Sequence, residues 1–587
     1  MFSKIQKVLR NQYFILALIT LLALFVRLLN IDKSYGLWVD EMFSYYITSK
    51  GFPFEIISSI FKIDYHHMPL HYYYLGVWMH FFGNNDVVLR LSSVFWGVIT
   101  VPAFFYLGKT YMSEKLGYFL AVVASLSPIL IYYSQEVRLY SMLVFFSTLS
   151  LIFFLKTIDN PNKKNLLLLG FFNLGIIYTY TMGGLFVFIQ WFILLLHLYL
   201  YKKDYLINYF IYSLIFFISS IPYIILLVLC VQADSQGLVK AFPWGGDYIF
   251  NPIPLFNDLL SPFFSNIVDG VGWGKYFYYF KFSGLKNFLL FSSIPTICFL
   301  LGLIRNLLNP NKKTLYLFCL FLFFFLIEVI LNIVGGLNIM TRYALIILPI
   351  ILLLGSGGIL LIKNIYIKKL FIGLILIVFI LNSINYKISD SHKMRYNGFK
   401  FSAEALKDFD SKNTYLLHYR YNSDFFKKYL KNVNAIDFNT FSALGFDRTK
   451  TSTLKIFSKD FISKKSTSKI AAFCANPNPT KELKAFIDSS VKTIPKEGHI
   501  IFIEGPFGEK PFYEVQHFSQ KFLTNNLDKK LYNRIILESV INKLRHDIKI
   551  LLDKNLSLEK TKVFYKKIGS TDPSEKGKWV FYVYRKK

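Results

Sequence analysis

Residues 116–140 read LGYFLAVVASLSPILIYYSQEVRLY. From Leu116 to Ser134 the stretch is apolar enough, and close enough to the ~20 residues that hydrocarbon demands, to read as a membrane-crossing helix. It then runs into Gln135-Glu136-Val137-Arg138. A span that delivers two ionisable side chains to one of its ends decides the fold class: a polytopic α-helical membrane protein with its chemistry at a membrane face. Similar runs lie at about 12–30, 87–108, 139–155, 166–181, 183–200, 206–230, 287–305, 314–333, 343–362 and 370–386, which makes about eleven transmembrane helices. The stretch 166–200 is either one long helix or two short ones. Basic residues at both of its ends favour a hairpin turning near Thr181-Met182-Gly183-Gly184. The first run reaches Arg27, Leu28, Leu29 and Asn30 without a small-x-small cleavage pattern, so it reads as an uncleaved anchor.

Orientation follows from the basic residues. Lys4, Lys7 and Arg10 precede the first run, and Lys109/Lys115, Lys156/Lys163/Lys164, Lys202/Lys203, Arg305/Lys312/Lys313 and Lys363/Lys368/Lys369 recur at every second connection. All fit one cytoplasmic face. Composition agrees: 54% of the 587 residues are hydrophobic and only 17% charged, below the quarter that is usual in soluble domains. Disorder and disulfide scaffolds are excluded by the apolar content and by four cysteines. The net charge of +30 divides unevenly, +12 up to Tyr386 and +18 after it. Residues 1–386 therefore read as the membrane domain and 387–587 as a soluble domain. Eleven spans place that domain outside the cytoplasm, and ten would reverse that.

The informative side chains are the few ionisable ones at the outer face. Gly36-Leu37-Trp38-Val39-Asp40-Glu41-Met42 carries two adjacent carboxylates just beyond the first span, either a functional pair or a helix cap. In His67-Met68-Pro69-Leu70-His71 the two histidines share a face if Pro69 begins a helix, which would hold a divalent metal ion with a carboxylate. The other reading is an interfacial aromatic belt. Arg90, Glu136, Arg138 and Arg342 with its neighbour Tyr343 return to the same face. Ionisable groups at that depth are costly and so are paired or functional. Glu136 and Arg138, two apart on a helix, would each need another partner. Glu328 in the ninth span is expected to pair with a base. The central spans are almost uncharged, which argues for interfacial chemistry over a transporter or lipid flippase with ionisable groups at the midplane. A catalytically dead scaffold with a partner-binding tail is a further reading.

Four motifs together resemble a known family. Leu37-Trp38-Val39-Asp40-Glu41, His67-Met68-Pro69-Leu70-His71-Tyr72-Tyr73, Leu89-Arg90-Leu91-Ser92-Ser93 and Tyr132-Tyr133-Ser134-Gln135-Glu136-Val137-Arg138-Leu139-Tyr140 look like the bacterial membrane glycosyltransferases of the GT-C fold. The branch is the one related to protein O-mannosyltransferases and lipid A aminoarabinose transferases, glycosyltransferase family 39-like. Arg342-Tyr343 followed by Pro349 is similar to the family's entry to a late span. The resemblance implies transfer of a sugar from a polyprenyl-phosphate donor to a lipid, glycan or protein acceptor outside the cytoplasm, with Asp40 as base and Glu41 as the supporting acid. Glu136 and Arg138 match its Ser-Gln-Glu-x-Arg element. Met68 departs from the family's His-Pro-Pro-Leu, which bears on the acceptor class and on any metal there.

Chemistry sets the remaining roles. A lipid phosphate leaves as a stable anion, so the site needs cations for it, and Arg138, Arg342 or a metal ion suits. One carboxylate accepts the hydroxyl proton. A single base with direct displacement predicts inversion; retention would need a second carboxylate as nucleophile. In the tail, 414–419, 499–504 and 579–584 read as strands and 424–430, 480–489 and 533–552 as helices, an α/β domain. Its basic charge suits anionic head groups or an acidic acceptor, or reflects a Lys-rich bias over the whole chain. No ordered aromatic and basic pattern of a nucleic-acid module is present.

Overall fold

The computed structural model describes residues 12–32, 36–51, 54–63, 67–233, 285–308, 310–335, 345–388, 400, 403, 406–418, 427–436, 478–479, 481–495, 497–504, 543, 545–566 and 577–586. Helices occupy every one of the apolar stretches: α1 (Gln12–Leu28), α5 (Asp86–Tyr111), α6 (Glu114–Leu126) with α7 (Pro128–Ser134), α8 (Tyr140–Asp159), α9 (Lys163–Thr179), α10 (Gly183–Tyr201), α11 (Leu206–Ala233), α12 (Leu285–Leu308), α13 (Lys312–Gly335), α14 (Leu348–Leu360) and α15 (Ile365–Ile388). Three shorter helices, α2 (Val39–Thr48), α3 (Phe54–Ile63) and α4 (Leu70–Phe82), fill the first long loop. Among the described residues four helices are long and apolar enough to cross a membrane, and five if α6 and α7 count as one broken span. The chain is a multi-pass membrane protein.

Local chemistry explains where these helices start. Asn85, Ser113 and Asn162 sit in extended backbone, and their side chains accept from the amides of Val88, Leu116 and Asn165. The stretch 166–200 is a hairpin of two helices, turning between Thr179 and Gly183 as the basic residues suggested. The stretch 116–134 is not one straight helix. Pro128 has no amide to continue the ladder, and the chain bends by 58° there.

The basic connections converge at one end of this bundle. Lys313 reaches Asp159 at 2.6 Å and the Thr110 carbonyl at 3.2 Å, Lys202 bonds the Asp159 carbonyl, and Lys109 donates to Gln12 at 2.9 Å. Between the ends, polar side chains tie helices inside the apolar core. Ser150, Asn173 and Gln190 join α8, α9 and α10, and at the lysine end Tyr111 on α5 bonds Asn306 and Thr314 of α12 and α13. Each such bond contributes only ~0.6 kcal/mol on average, so they fix which helices neighbour one another more than they stabilise the whole. Helices α12 and α14 meet backbone to backbone through Gly302, Gly355 and Gly358.

Contacts divide the chain into two units. The second unit includes Lys33–Met42 and Asp390–Lys587. It holds a five-stranded mixed sheet in the order β2-β1-β3-β5-β4, with β1 Thr414–His418, β2 Asn434–Ala435, β3 His499–Glu504, β4 Leu556–Lys566 and β5 Gly577–Lys586. The neighbours β2, β1 and β3 run parallel, and β5 is antiparallel to both β3 and β4. Helix α16 (Lys481–Thr493) packs Leu483 and Ile487 against Leu417, Ile500 and Phe502 of the sheet. The expected strands at 414–419, 499–504 and 579–584 are present. Of the expected helices, 424–426 and 533–542 lie outside the described residues, and 545–555 is helical.

Candidate active site

At the end of the bundle away from the lysine cluster, several helix ends meet. Gln135, just after α7, donates to the Leu29 carbonyl at 2.9 Å, and Arg90 at the start of α5 donates to the Ile31 carbonyl at 3.4 Å. Tyr223 of α11 bonds the Thr181 carbonyl in the α9–α10 turn at 2.6 Å. Arg90, Glu136 and Arg138 are all buried at this end.

Residues 135–139 form a turn, not the helix on which the pairing of Glu136 and Arg138 was judged. The Arg138 amide bonds the Glu136 carbonyl at 2.7 Å, a three-residue closure that sends the two side chains off a common path. The guanidinium of Arg138, only 4% exposed, donates to Ser44 Oγ at 3.2 Å and is hydrogen-bonded to His67 Nε2. Ser93 Oγ bonds the Arg138 carbonyl at 3.5 Å. The Leu-Arg-Leu-Ser-Ser motif thus helps hold the turn, through a serine that sequence reasoning gave no role.

Asp40 and Glu41 lie in the first turn of α2, where the positive end of the helix dipole favours carboxylates. Their roles diverge. Glu41 is 0% exposed, and its Oε2 accepts from the Trp38 amide at 3.1 Å, closing the helix start as a reach-back cap. Asp40 is half-buried. Glu41 thus makes a capping bond at the helix start. Within the second unit the segment is further fixed by Tyr429, whose hydroxyl accepts from the Leu37 amide at 2.9 Å. Gly36 beside it has φ +76°, and a Cβ there would lie 2.5 Å from Lys400 Cβ and 2.6 Å from the Tyr429 hydroxyl. Both positive φ and close approach require glycine. Neither Gly36 nor Tyr429 carried a signal beyond the Gly-Leu-Trp sequence itself. Further along α2, burial first and then the Asp86 carboxylate push the Tyr45 phenol above its ordinary range.

His67 and His71, the expected metal pair, sit in different local structures. Pro69 caps α4, so His71 is helical, but His67 precedes the helix in an isolated bridge to Tyr180. Its Nε2 faces the Arg138 guanidinium, whose positive charge opposes a dication. Among the described residues no three His, Cys, Asp or Glu side chains converge as metal ligands. Glu328, expected to pair with a base, is buried in α13, and its Oε2 has no hydrogen-bond partner among the described residues. Arg342 and Tyr343 lie outside the described residues.

Residues 66–225 match the family model described as dolichyl-phosphate-mannose-protein mannosyltransferase. The likeness to GT-C glycosyltransferases stands. The matched GT-C-like segment contains His67, Arg90, Glu136 and Arg138, and it is less than half of the chain. Solved structures are similar at low identity. ArnT of Cupriavidus metallidurans in the apo state is 10% identical with a TM-score of 0.49, covering 83% of this chain and 92% of that one. The same protein bound to undecaprenyl phosphate is 11% identical with a TM-score of 0.47, covering 84% and 93%. The Archaeoglobus fulgidus oligosaccharyltransferase with zinc and sulfate is 11% identical with a TM-score of 0.45, covering 97% and 88%. No curated protein matches this chain by sequence.

Proposed function

We propose that this protein is a membrane glycosyltransferase that takes a sugar from a polyprenyl-phosphate donor and passes it to an acceptor hydroxyl on the extracytoplasmic side. The observation that carries the reading is the buried Arg138, bonded to Ser44 and His67 at the end of the bundle opposite the lysines, inside the segment that matches the mannosyltransferase model. An ionisable group buried at a membrane face is paired or functional, and a guanidinium suits a phosphate through bidentate hydrogen bonds. A lipid phosphate is such a partner.

The acceptor oxygen attacks the anomeric carbon while the bond from that carbon to the phosphate oxygen breaks. The electron pair leaves on the lipid phosphate, stabilised by Arg138 and Arg342 through charge-assisted hydrogen bonds. Asp40 accepts the hydroxyl proton and later releases it to water. Glu136, Arg90 and Tyr343 support or line the site. The cap role of Glu41 supports inversion, since a carboxylate spent on the Trp38 amide is poorly placed as a second nucleophile. The +18 charge after Tyr386 suits anionic lipid head groups or an acidic acceptor.

The test is Asp40→Asn in purified protein, assayed with lipid-phosphate sugars. Transfer is expected to vanish while expression and membrane insertion stay normal. Near-normal transfer by that variant would sink the assignment. The stereochemistry of the product decides inversion separately.

A further inference from the structure

Pro128 leaves the broken span with carbonyls that the helix itself does not satisfy. In a continuous helix the amide of residue 128 would donate to the Ala124 carbonyl, and proline has no amide hydrogen. The last helical bond before the break runs from the Ser127 amide to Val123, so the carbonyls of Ala124 and Ser125 are C-terminal orphans in an apolar bundle. Arg27, on a different helix, supplies their donors. Its Nη2 bonds Ala124 at 3.0 Å and its Nη1 bonds Ser125 at 3.2 Å, with a third bond to Ala23 of its own helix at 3.2 Å. Arg27 is 1% exposed, and among the described residues no carboxylate pairs with it. The negative end of the α6 dipole takes the place of a counter-ion.

A second arm closes on the other side of the break. Gln135 Nε2 donates to the carbonyls of Arg27 and Leu29, which end α1. So α1 grips the span before the bend with an arginine, and the span grips α1 after the bend with a glutamine. Gly97 of α5 leaves room for this junction: a Cβ there would lie 2.5 Å from Ser134 Cβ and 3.0 Å from Arg27 Nε.

We infer that Arg27 is the positioning residue for the Glu136–Arg138 turn, replacing the donor that Pro128 lacks so that the span stays bent. The clamp stands on hydrogen bonds alone; its bearing on a lipid phosphate rests on the proposed function. Three forms of the full chain in detergent test both: wild type, Arg27→Met and Arg27→Met/Pro128→Ala. The readouts are amide hydrogen exchange over residues 128–138, thermal unfolding, and affinity for undecaprenyl phosphate. Arg27→Met should speed exchange in 128–138, lower Tm and weaken binding roughly tenfold or more, as misplacing a recognition group does. The added Pro128→Ala returns an amide to the Ala124 carbonyl and should recover Tm, while a straightened span keeps binding weak and exchange at 135–138 fast. Unchanged exchange in Arg27→Met overturns the clamp. Recovery of Tm and binding together in the double variant overturns the positioning role and leaves Arg27 as a structural tie. If the wild type fails to bind undecaprenyl phosphate, the donor reading falls, and the exchange data still decide the clamp.

Discussion

Replacing Arg138 by glutamine separates the two things that its guanidinium is asked to do. The side chain is buried and bonded to Ser44 and His67, so removing it leaves buried polar partners to find substitutes. An unsatisfied buried group costs about 1–3 kcal/mol, and glutamine can replace part of the bonding. The structural loss should therefore be about 1–3 kcal/mol, visible as a lowered Tm with the fold retained. The loss in donor recognition is of a different kind. A charge-assisted hydrogen bond to a phosphate contributes about 1.5–3 kcal/mol, which converts to roughly 10- to 150-fold in affinity. Arg138→Lys keeps the charge but loses the planar fork, and should fall between glutamine and wild type. The assay is steady-state transfer in detergent with donor concentration varied, alongside competition by undecaprenyl phosphate. Arg138→Gln should raise KM for the donor and weaken competition by the same factor. A variant with reduced kcat but unchanged donor KM and unchanged competition would refute the phosphate role. Arginine and glutamine variants that differ only in Tm would reduce Arg138 to a structural tie.

Other substitutions test the scaffold. Gly36→Ala would be strained both by φ +76° and by contact with Lys400 and Tyr429, so transfer should drop at least tenfold; limited proteolysis of the 33–42 segment reports whether it has come loose. Gly358→Ala would place a Cβ 1.6 Å from the Gly302 carbonyl, so α12 and α14 must separate, and folded yield in detergent should collapse where Gly373→Ala, with nothing near it, leaves yield unchanged. Asn173→Leu removes the shared partner of Ser150 and Gln190 and should lower stability by about 1 kcal/mol, read by thermal unfolding, with donor KM unchanged.

Much of this was legible because bilayer physics is coarse. Span length, apolar content and the alternation of lysine clusters locate helices without any knowledge of packing. The hairpin at Thr181–Gly184 was readable for the same reason, since basic residues bracket it. What was not legible is what depends on a partner distant in sequence. Arg27 was read only as evidence against a cleaved signal. Its use lies 97 residues away at Ala124. The Ser127-Pro128 pair carried a warning of a broken helix, because a residue preceding proline leans away from helical backbone, but hydropathy runs straight through it. Strand β4 was missed because LSLEKTKVFYK spreads lysines along an edge strand, where charge guards an open edge and hides the apolar alternation.

The candidate site shows a related division. Sequence reasoning treated Asp40 and Glu41 as a pair, because nothing in adjacent carboxylates says which is spent on structure. One hydrogen bond separates them: Glu41 turns back to the Trp38 amide and is enclosed, while Asp40 stays half-buried at the helix start. The same logic applies to His67, which looked like a ligand by spacing and is engaged by an arginine. A buried helix start and a buried guanidinium both need acceptors, and the chain takes them from the residues that resemble catalytic or metal-binding groups most. Glu41→Gln is the substitution that weighs this argument. An amide oxygen still accepts from the Trp38 amide, so a cap role predicts a retained fold and transfer reduced only a few-fold. Loss as deep as that of Asp40→Asn would mean that Glu41 shares the proton chemistry, and the separation drawn from its hydrogen bond would be wrong.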